Sequence, residues 1–132
     1  MLDTSVVVDA AAGRVELAEL PDSWWITTIT LGELSAGPLV ARSPGDRARR
    51  QAVLQEIEAQ CAGSVLAYDE VAARAYGRVI ADVRRAGRQP RRRTADLMIA
   101  AIAIARGLPL YTTDAADVRG ISGLQVVAVK AQ

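Results

Sequence analysis

The longest apolar run of the chain extends from Leu97 to Ala105 and contains no polar side chain on any face. A helix that is apolar on all sides lies in the interior of a domain. We therefore predict a central helix over Thr94–Ala105, with Thr94 as its N-cap and Asp96 in its first turn. A carboxylate in that position interacts favourably with the helix dipole. Asp96 therefore either stabilises the helix or faces a functional site.

Shorter β-favouring segments alternate with helical patterns along the rest of the chain. We predict about five strands, at Met1–Asp3, Trp24–Thr28, Val65–Tyr68, Leu110–Thr112 and Gln125–Val129. Helices are predicted at Gly13–Leu20, from Thr30 to about Ala36, from Ser43 to about Ala62, and from Asp69 to near Gly87. Val6–Val8 fits either a strand or a short helix. The alternation favours a single α/β domain over residues 1–132, with a mainly parallel sheet flanked by helices.

Two of these helix starts rest on capping signals. Thr30 and Glu33 have the spacing of a capping box, and we expect that helix to end before Gly37-Pro38. Ser43 followed by Pro44 is typical of an N-cap and a first helical residue.

The composition excludes several classes of site. The chain has 132 residues and a net charge of +1, so any attraction to nucleic acid has to be local. It has no histidine, which excludes Ser-His-Asp and Cys-His catalysis, and its one cysteine excludes a disulfide framework. A secretion signal and a membrane-spanning run are also missing, so we expect a cytoplasmic protein. Carboxylates, hydroxyls and arginines remain for chemistry, and carboxylates suit Mg²⁺ or Mn²⁺.

Acidic residues recur where predicted strands end or predicted helices begin. In a parallel sheet these positions share one edge, which is where open α/β sheets bind ligands. The acids at this edge are Asp3, Glu33, Asp96, Asp114 and Asp117. Each has an ordinary alternative: Asp3 as a solvated residue, Glu33 as the partner of Thr30, and Asp114 or Asp117 as a helix cap. Neighbouring carboxylates repel one another, and their combined placement favours a metal site.

Six arginines lie within residues 84–93, just before Asp96. They are either a solvated helix end or a surface that binds RNA phosphates. We favour the RNA role for Arg92 and Arg93, which are nearest to Asp96.

Four segments, in order, resemble the motifs of PIN-domain ribonucleases, and above all the VapC toxins of VapBC toxin–antitoxin systems. The segments are Leu2–Ser5 (LDTS), Thr28–Leu34 (TITLGEL), Asp96–Ala101 (DLMIAA) and Leu110–Asp117 (LYTTDAAD). The resemblance covers nearly the whole chain. It implies a PIN-like fold, Mg²⁺- or Mn²⁺-dependent endoribonuclease activity, a homodimer and a VapB-like antitoxin.

The resemblance also assigns residue roles. It implies that Asp3, Glu33, Asp96 and Asp114 are the catalytic acids, and that Asp3, Asp96, Asp114 and Asp117 contact metal. The family frequently has Asn where Asp114 stands, so the choice between Asp114 and Asp117 as the direct ligand stays open. Thr4, Ser5 and Thr112 match hydroxyl positions that support the acids, or serve only as turn and cap residues.

Two other functions are compatible with part of this pattern. One is a catalytically inactive PIN-like module that binds RNA or protein, although retention of every motif acid favours an enzyme. The other is a phosphatase with an aspartyl nucleophile. That chemistry favours Asp-x-Asp in the first motif, where this chain has Ser5.

Overall fold

The computed structural model describes residues 1–132, apart from the side chain of Arg92. The helices are α1 (Thr4–Ala11), α2 (Thr28–Val40), α3 (Pro44–Gln60), α4 (Glu70–Arg85) and α5 (Thr94–Arg106). The strands are β1 (Ile26–Thr27), β2 (Val65–Leu66), β3 (Leu110–Thr112) and β4 (Val126–Ala128). Short 3₁₀ turns cover Leu17–Glu19, Pro90–Arg93 and Ala115–Val118.

The strands form a parallel arrangement that the N-terminal segment completes. β1 pairs with β2 and β3 pairs with β4, both in parallel. Leu2 lies between the two pairs: its N–H donates to the Trp25 carbonyl at 2.8 Å, and it forms a parallel bridge with Tyr111. The order is therefore β2, β1, N-terminal segment, β3, β4. The predicted α/β fold with parallel strands is confirmed, although the strands are short and Met1–Asp3 contributes only this bridge.

The core lies on both sides of this sheet. Met1 and Leu110 pack with α4 and α5 on one side, whereas Leu2 and Tyr111 pack with α1 and α3 on the other. Consecutive residues of a strand face opposite sides of a sheet, so Met1 and Leu2 join different clusters, as do Leu110 and Tyr111.

The predicted central helix is the most buried element of the fold. Residues 99–103 of α5 have no exposed surface, and α5 packs chiefly against α4. Gly107 ends the helix with a φ of 64°, as its position after the apolar run predicted. The prediction of Thr94 as N-cap is wrong, because Thr94 already has helical dihedral angles and Arg93 is the cap residue. Asp96 nevertheless lies in the first turn.

α2 begins earlier and ends later than predicted. Thr27, rather than Thr30, caps the helix by accepting the Thr30 N–H at 3.1 Å, which shortens the predicted second strand. Pro38 lies within the last turn, where it cannot donate the helical hydrogen bond to the Leu34 carbonyl, and the helix ends two residues later. The Arg50 guanidinium donates to the Gly37 carbonyl at 3.1 Å and satisfies one of the terminal acceptors.

The remaining helix predictions have mixed outcomes. Ser43 caps α3 and Asp69 caps α4, as predicted. Val6–Val8 belongs to a helix, α1. The predicted helix over Gly13–Leu20 is wrong: the structure forms only a single 3₁₀ turn there. Of the helices that the structure describes, none is long and apolar enough to cross a lipid bilayer.

We expect Gly107→Ala to lower the free energy of unfolding by about 1 kcal/mol, because Ala is strained at positive φ. Gly77→Ala, inside α4, is the matched control and should raise it by up to about 1 kcal/mol. A Cβ at either position meets no atom within 4 Å, so packing does not contribute to the difference. Urea unfolding measures both, and changes of the same sign would contradict the backbone argument.

Candidate acidic site

Asp3 is the most tightly held acid of the parallel sheet edge. It caps α1 and is only 7% exposed, so it is not the solvated residue that one interpretation allowed. Its Oδ1 accepts the Thr4 N–H at 2.9 Å, and its Oδ2 accepts the hydroxyls of Ser5 at 3.0 Å and Thr112 at 2.8 Å. Burial raises the pKa of Asp3, and these three hydrogen bonds oppose that shift. The carboxylate is thus fixed in one orientation.

The same hydroxyls connect Asp3 to the segment after β3. Thr112 Oγ1 donates to Asp3 and accepts the Asp114 N–H at 3.0 Å, while Ser5 Oγ accepts the Thr113 N–H at 3.3 Å. Asp114 is close enough for its charge to contribute to the raised pKa of Asp3. Ser5 and Thr112 therefore connect Asp3 to this segment by hydrogen bonds, in addition to any part they have in the turn.

Glu33 reaches the edge from α2. The Thr4 hydroxyl donates to Glu33 Oε1 at 2.8 Å, and Thr4 Oγ1 lies 2.9 Å from Thr30 Oγ1. The interpretation of Glu33 as the capping-box partner of Thr30 is wrong, because Thr27 makes the cap. Thr27 Oγ1 in turn donates to Thr30 Oγ1 at 3.3 Å.

Three hydroxyl groups thus form a hydrogen-bonded chain that ends on Glu33. Each can donate its hydrogen bond in the same direction, from Thr27 to Thr30 to Thr4 to Glu33. Both Thr27 and Thr30 are fully buried. Their contribution to the site was not predicted from the sequence. The available signal is the Thr-rich run before Glu33.

Asp96 enters the same cluster from the head of α5 and is half-buried. Its pKa is raised to about 6, first by burial and then by the negative charges of Asp3, Glu33 and Asp117. Arg93 is the neighbour that opposes this shift. Asp96 therefore does more than complete its helix, since it lies within electrostatic range of three other acids.

Asp117 is held by two arginines. It lies in the 3₁₀ turn Ala115–Val118, and its carboxylate forms an ion pair with Arg93. The Arg88 guanidinium donates to the Asp117 backbone carbonyl at 3.0 Å. Asp114 precedes this turn, but its side chain makes no capping hydrogen bond there. The predicted RNA contact of Arg92 lies outside the described residues.

A divalent cation suits this cluster by charge and by ligand type. Carboxylate oxygens are the ligands that Mg²⁺ and Mn²⁺ prefer, and the charges of three neighbouring acids contribute, after burial, to the raised pKa of Asp96. As the described side chains stand, however, no three acids converge closely enough to hold a metal ion. Asp3, Glu33 and Asp117 are instead engaged by hydroxyls, a backbone N–H and Arg93. The donor set fits the cation, but the coordination geometry is not formed.

Comparison with known proteins agrees with the fold and the motif order. The sequence model of the PIN domain matches residues 1–119. The chain belongs to the PIN-domain family.

Its similarity to individual members of the family extends over nearly the whole chain. It is 36% identical to ribonuclease VapC5 of Mycobacterium tuberculosis, over 98% of this chain and 94% of that protein. Identity to ribonuclease VapC4 of the same organism is 30%, over 98% and 95% of the two chains. The crystal structure of VapBC-5 from M. tuberculosis, a member of the VapBC family of toxin–antitoxin systems, superposes with a TM-score of 0.82. That match covers 97% of this chain and 96% of the other, at 34% identity.

This PIN domain is therefore homologous to VapC ribonuclease toxins, as its four motifs predicted. The individual roles of its acids and hydroxyls stay predictions.

The raised pKa of Asp96 predicts a pH dependence of the metal-free fold. Because the pKa is higher in the folded state, ionisation of Asp96 destabilises the fold as pH rises from about 4 to about 6. Asp96→Asn removes this effect. We expect the stability of the variant relative to the wild type to increase by about 1 kcal/mol between pH 4 and pH 7, after allowing for solvent screening of a half-buried group.

The measurement is chemical unfolding of both proteins in EDTA across that pH range. Titrating groups remote from Asp96 cancel in the difference. Parallel stability profiles for variant and wild type would contradict the proposed crowding of charge at Asp96.

Proposed function

We propose that this PIN domain is a metal-dependent endoribonuclease and the toxin of a type II toxin–antitoxin system. The observation that carries the proposal is that Asp3, Glu33 and Asp117 lie within electrostatic range of Asp96 at one sheet edge, where their charges contribute to its raised pKa. The proposal is also supported by similarity to two ribonucleases over nearly the full length of the chain.

Asp3, Asp96 and either Asp114 or Asp117 would hold the cation, with Mg²⁺ as the first choice and Mn²⁺ as an alternative. When bound, such a cation lowers the pKa of a water molecule and stabilises negative charge on the attacked phosphate. With no histidine in the chain, the remaining proton transfers fall to carboxylates.

Hydrogen bonds within the chain hold two of the acids in position in the absence of substrate. Three hydrogen bonds orient Asp3, so little reorganisation is needed when a cation or phosphate binds. Glu33 is exposed at the rim of the cluster, where the Thr4 hydroxyl fixes one of its oxygens. From that position Glu33 can orient a water molecule and accept its proton.

The substrate is RNA, and the basic segment before α5 binds its phosphates. Arg93 lies beside Asp96 and Asp117, and the same role is proposed for Arg92. Guanidinium groups bind phosphate oxygens in a bidentate manner and position the backbone without reading the base sequence.

The partner is a VapB-like antitoxin, supported by the likeness to a structure from the VapBC family of toxin–antitoxin systems. The family also implies a homodimer. A toxin that cleaves cellular RNA would act in the cytoplasm.

An inactive PIN-like module that binds RNA or protein is the second candidate. One observation favours it: no three acids converge to hold a metal among the described side chains. Activity with and without a divalent cation separates the two functions.

We expect the wild-type protein to cleave structured RNA with Mg²⁺ or Mn²⁺ and to be inactive in EDTA. Asp96→Asn should reduce the cleavage rate at least about 100-fold, because a carboxylate that contacts the cation is lost. The measurement is gel analysis of labelled RNA, with circular dichroism to verify the fold.

Asp9→Asn is the matched control. Asp9, on α1, pairs with Arg14 rather than with the acidic cluster, and loss of a partly exposed ion pair costs little stability. That variant should retain activity. A folded wild-type protein that cleaves no RNA with any divalent cation would support the inactive module instead.

A further inference from the structure

The ion pair between Arg93 and Asp117 engages two residues to which the proposed function gives other partners. The proposed function offers Asp117 as a cation ligand and Arg93 as a phosphate ligand, yet in the structure each is bound to the other. The pair joins Arg93 Nη1 to Asp117 Oδ2, so it competes with both proposed roles. The conflict is resolved if the pair belongs to one state of the site and opens in another.

We propose that Arg93 is an exchangeable counter-ion of Asp117, which it releases when a divalent cation binds, and that the freed guanidinium then holds an RNA phosphate. This inference rests on the proposed function and adds to it a coupling between cation binding and substrate binding. Arg93 acts here as a positioning residue, since it controls when Asp117 is available.

The location of the pair supports the exchange. Arg93 and Asp117 both lie within electrostatic range of Asp96, with opposite effects on its pKa, so the pair borders the acidic cluster. In the absence of a divalent cation, Arg93 partly compensates the negative charge of the cluster. A divalent cation bound there takes over that compensation and repels the guanidinium.

The pair is also easy to open. The side chains of Arg93 and Asp117 are 39% and 36% exposed, and ion pairs with this degree of exposure contribute little to stability. A carboxylate in an exposed pair therefore remains available to a divalent cation that has other carboxylate ligands nearby.

The rest of the turn can stay in place during the exchange. Arg88 holds the backbone carbonyl of Asp117 at 3.0 Å, so the 3₁₀ turn keeps its attachment when the side chain of Asp117 changes partner. An open cleft of about 490 Å³, lined by Arg88, Gln89, Arg93, Ala116 and Asp117, lies beside the pair. This cleft has room for a phosphate group next to the released guanidinium.

The first test is calorimetric titration of the full-length protein with Mn²⁺ in the absence of RNA. Arg93→Gln should bind Mn²⁺ roughly two- to fivefold more tightly than the wild type, because the competitor for Asp117 is gone. Arg91→Gln is the matched control: it removes the same charge from the same 3₁₀ turn, and Arg91 is exposed. We expect at most about a 1.5-fold change there, because solvent screens its charge.

A double variant isolates the pair. In an Asp117→Asn background, Arg93→Gln should give no further gain in Mn²⁺ affinity, because the two effects act through one contact. Equal gains in Mn²⁺ affinity in Arg93→Gln and Arg91→Gln would overturn the inference. The gain would then come from the loss of any positive charge near the site and not from the contact with Asp117. Weaker binding by Arg93→Gln, or no Mn²⁺ binding by any of the proteins, would overturn it as well.

The second test is RNA cleavage at saturating Mn²⁺. Arg93→Gln should raise KM for RNA severalfold with little change in kcat, since the cation site is filled and only phosphate binding is lost. A lower kcat with unchanged KM would contradict release of Arg93 to substrate. If the wild type cleaves no RNA but the Mn²⁺ titrations behave as expected, the proposed function fails and the exchange on Asp117 stands.

Discussion

Mutual repulsion of carboxylates at the head of α5 is the constraint around which this PIN domain is arranged. Asp96 stands where the most buried helix meets the sheet edge, and burial together with three acidic neighbours raises its pKa to about 6. Charge crowding of this kind costs stability in the metal-free protein. In the proposed function a divalent cation offsets this cost, because carboxylates that repel one another are all attracted to the cation.

The surrounding structure is organised to maintain this crowding. The apolar body of α5, with residues 99–103 fully buried, prevents Asp96 from withdrawing into solvent. The hydroxyls of Thr112 and Ser5 fix Asp3, and the buried chain from Thr27 through Thr30 and Thr4 fixes Glu33. These acids approach from different elements, and their supports are neutral hydroxyl groups. Among the described side chains, Arg93 is the cation that contributes to the altered pKa of Asp96.

Sequence patterns predicted the parts of the site that depend on residues close together along the chain. The position of Asp96 followed from the apolar run behind it, and those of Asp3 and Asp114 followed from the ends of β-favouring segments. The cap of α2 was misplaced because Thr27 and Thr30 are both acceptable caps, and only burial against Thr4 distinguishes them. The Arg93–Asp117 pair was also missed, because it depends on how the turn after β3 folds back onto the segment before α5.

We propose that the acids at this edge form a divalent-cation site, and anomalous scattering at the manganese edge from crystals grown with Mn²⁺ would locate the bound ion. We expect a peak bounded by Asp3 and Asp96, with Asp114 or Asp117 as a further ligand and Arg93 turned away from Asp117. A well-ordered site without a peak, or a peak bound only by residues elsewhere, would contradict it.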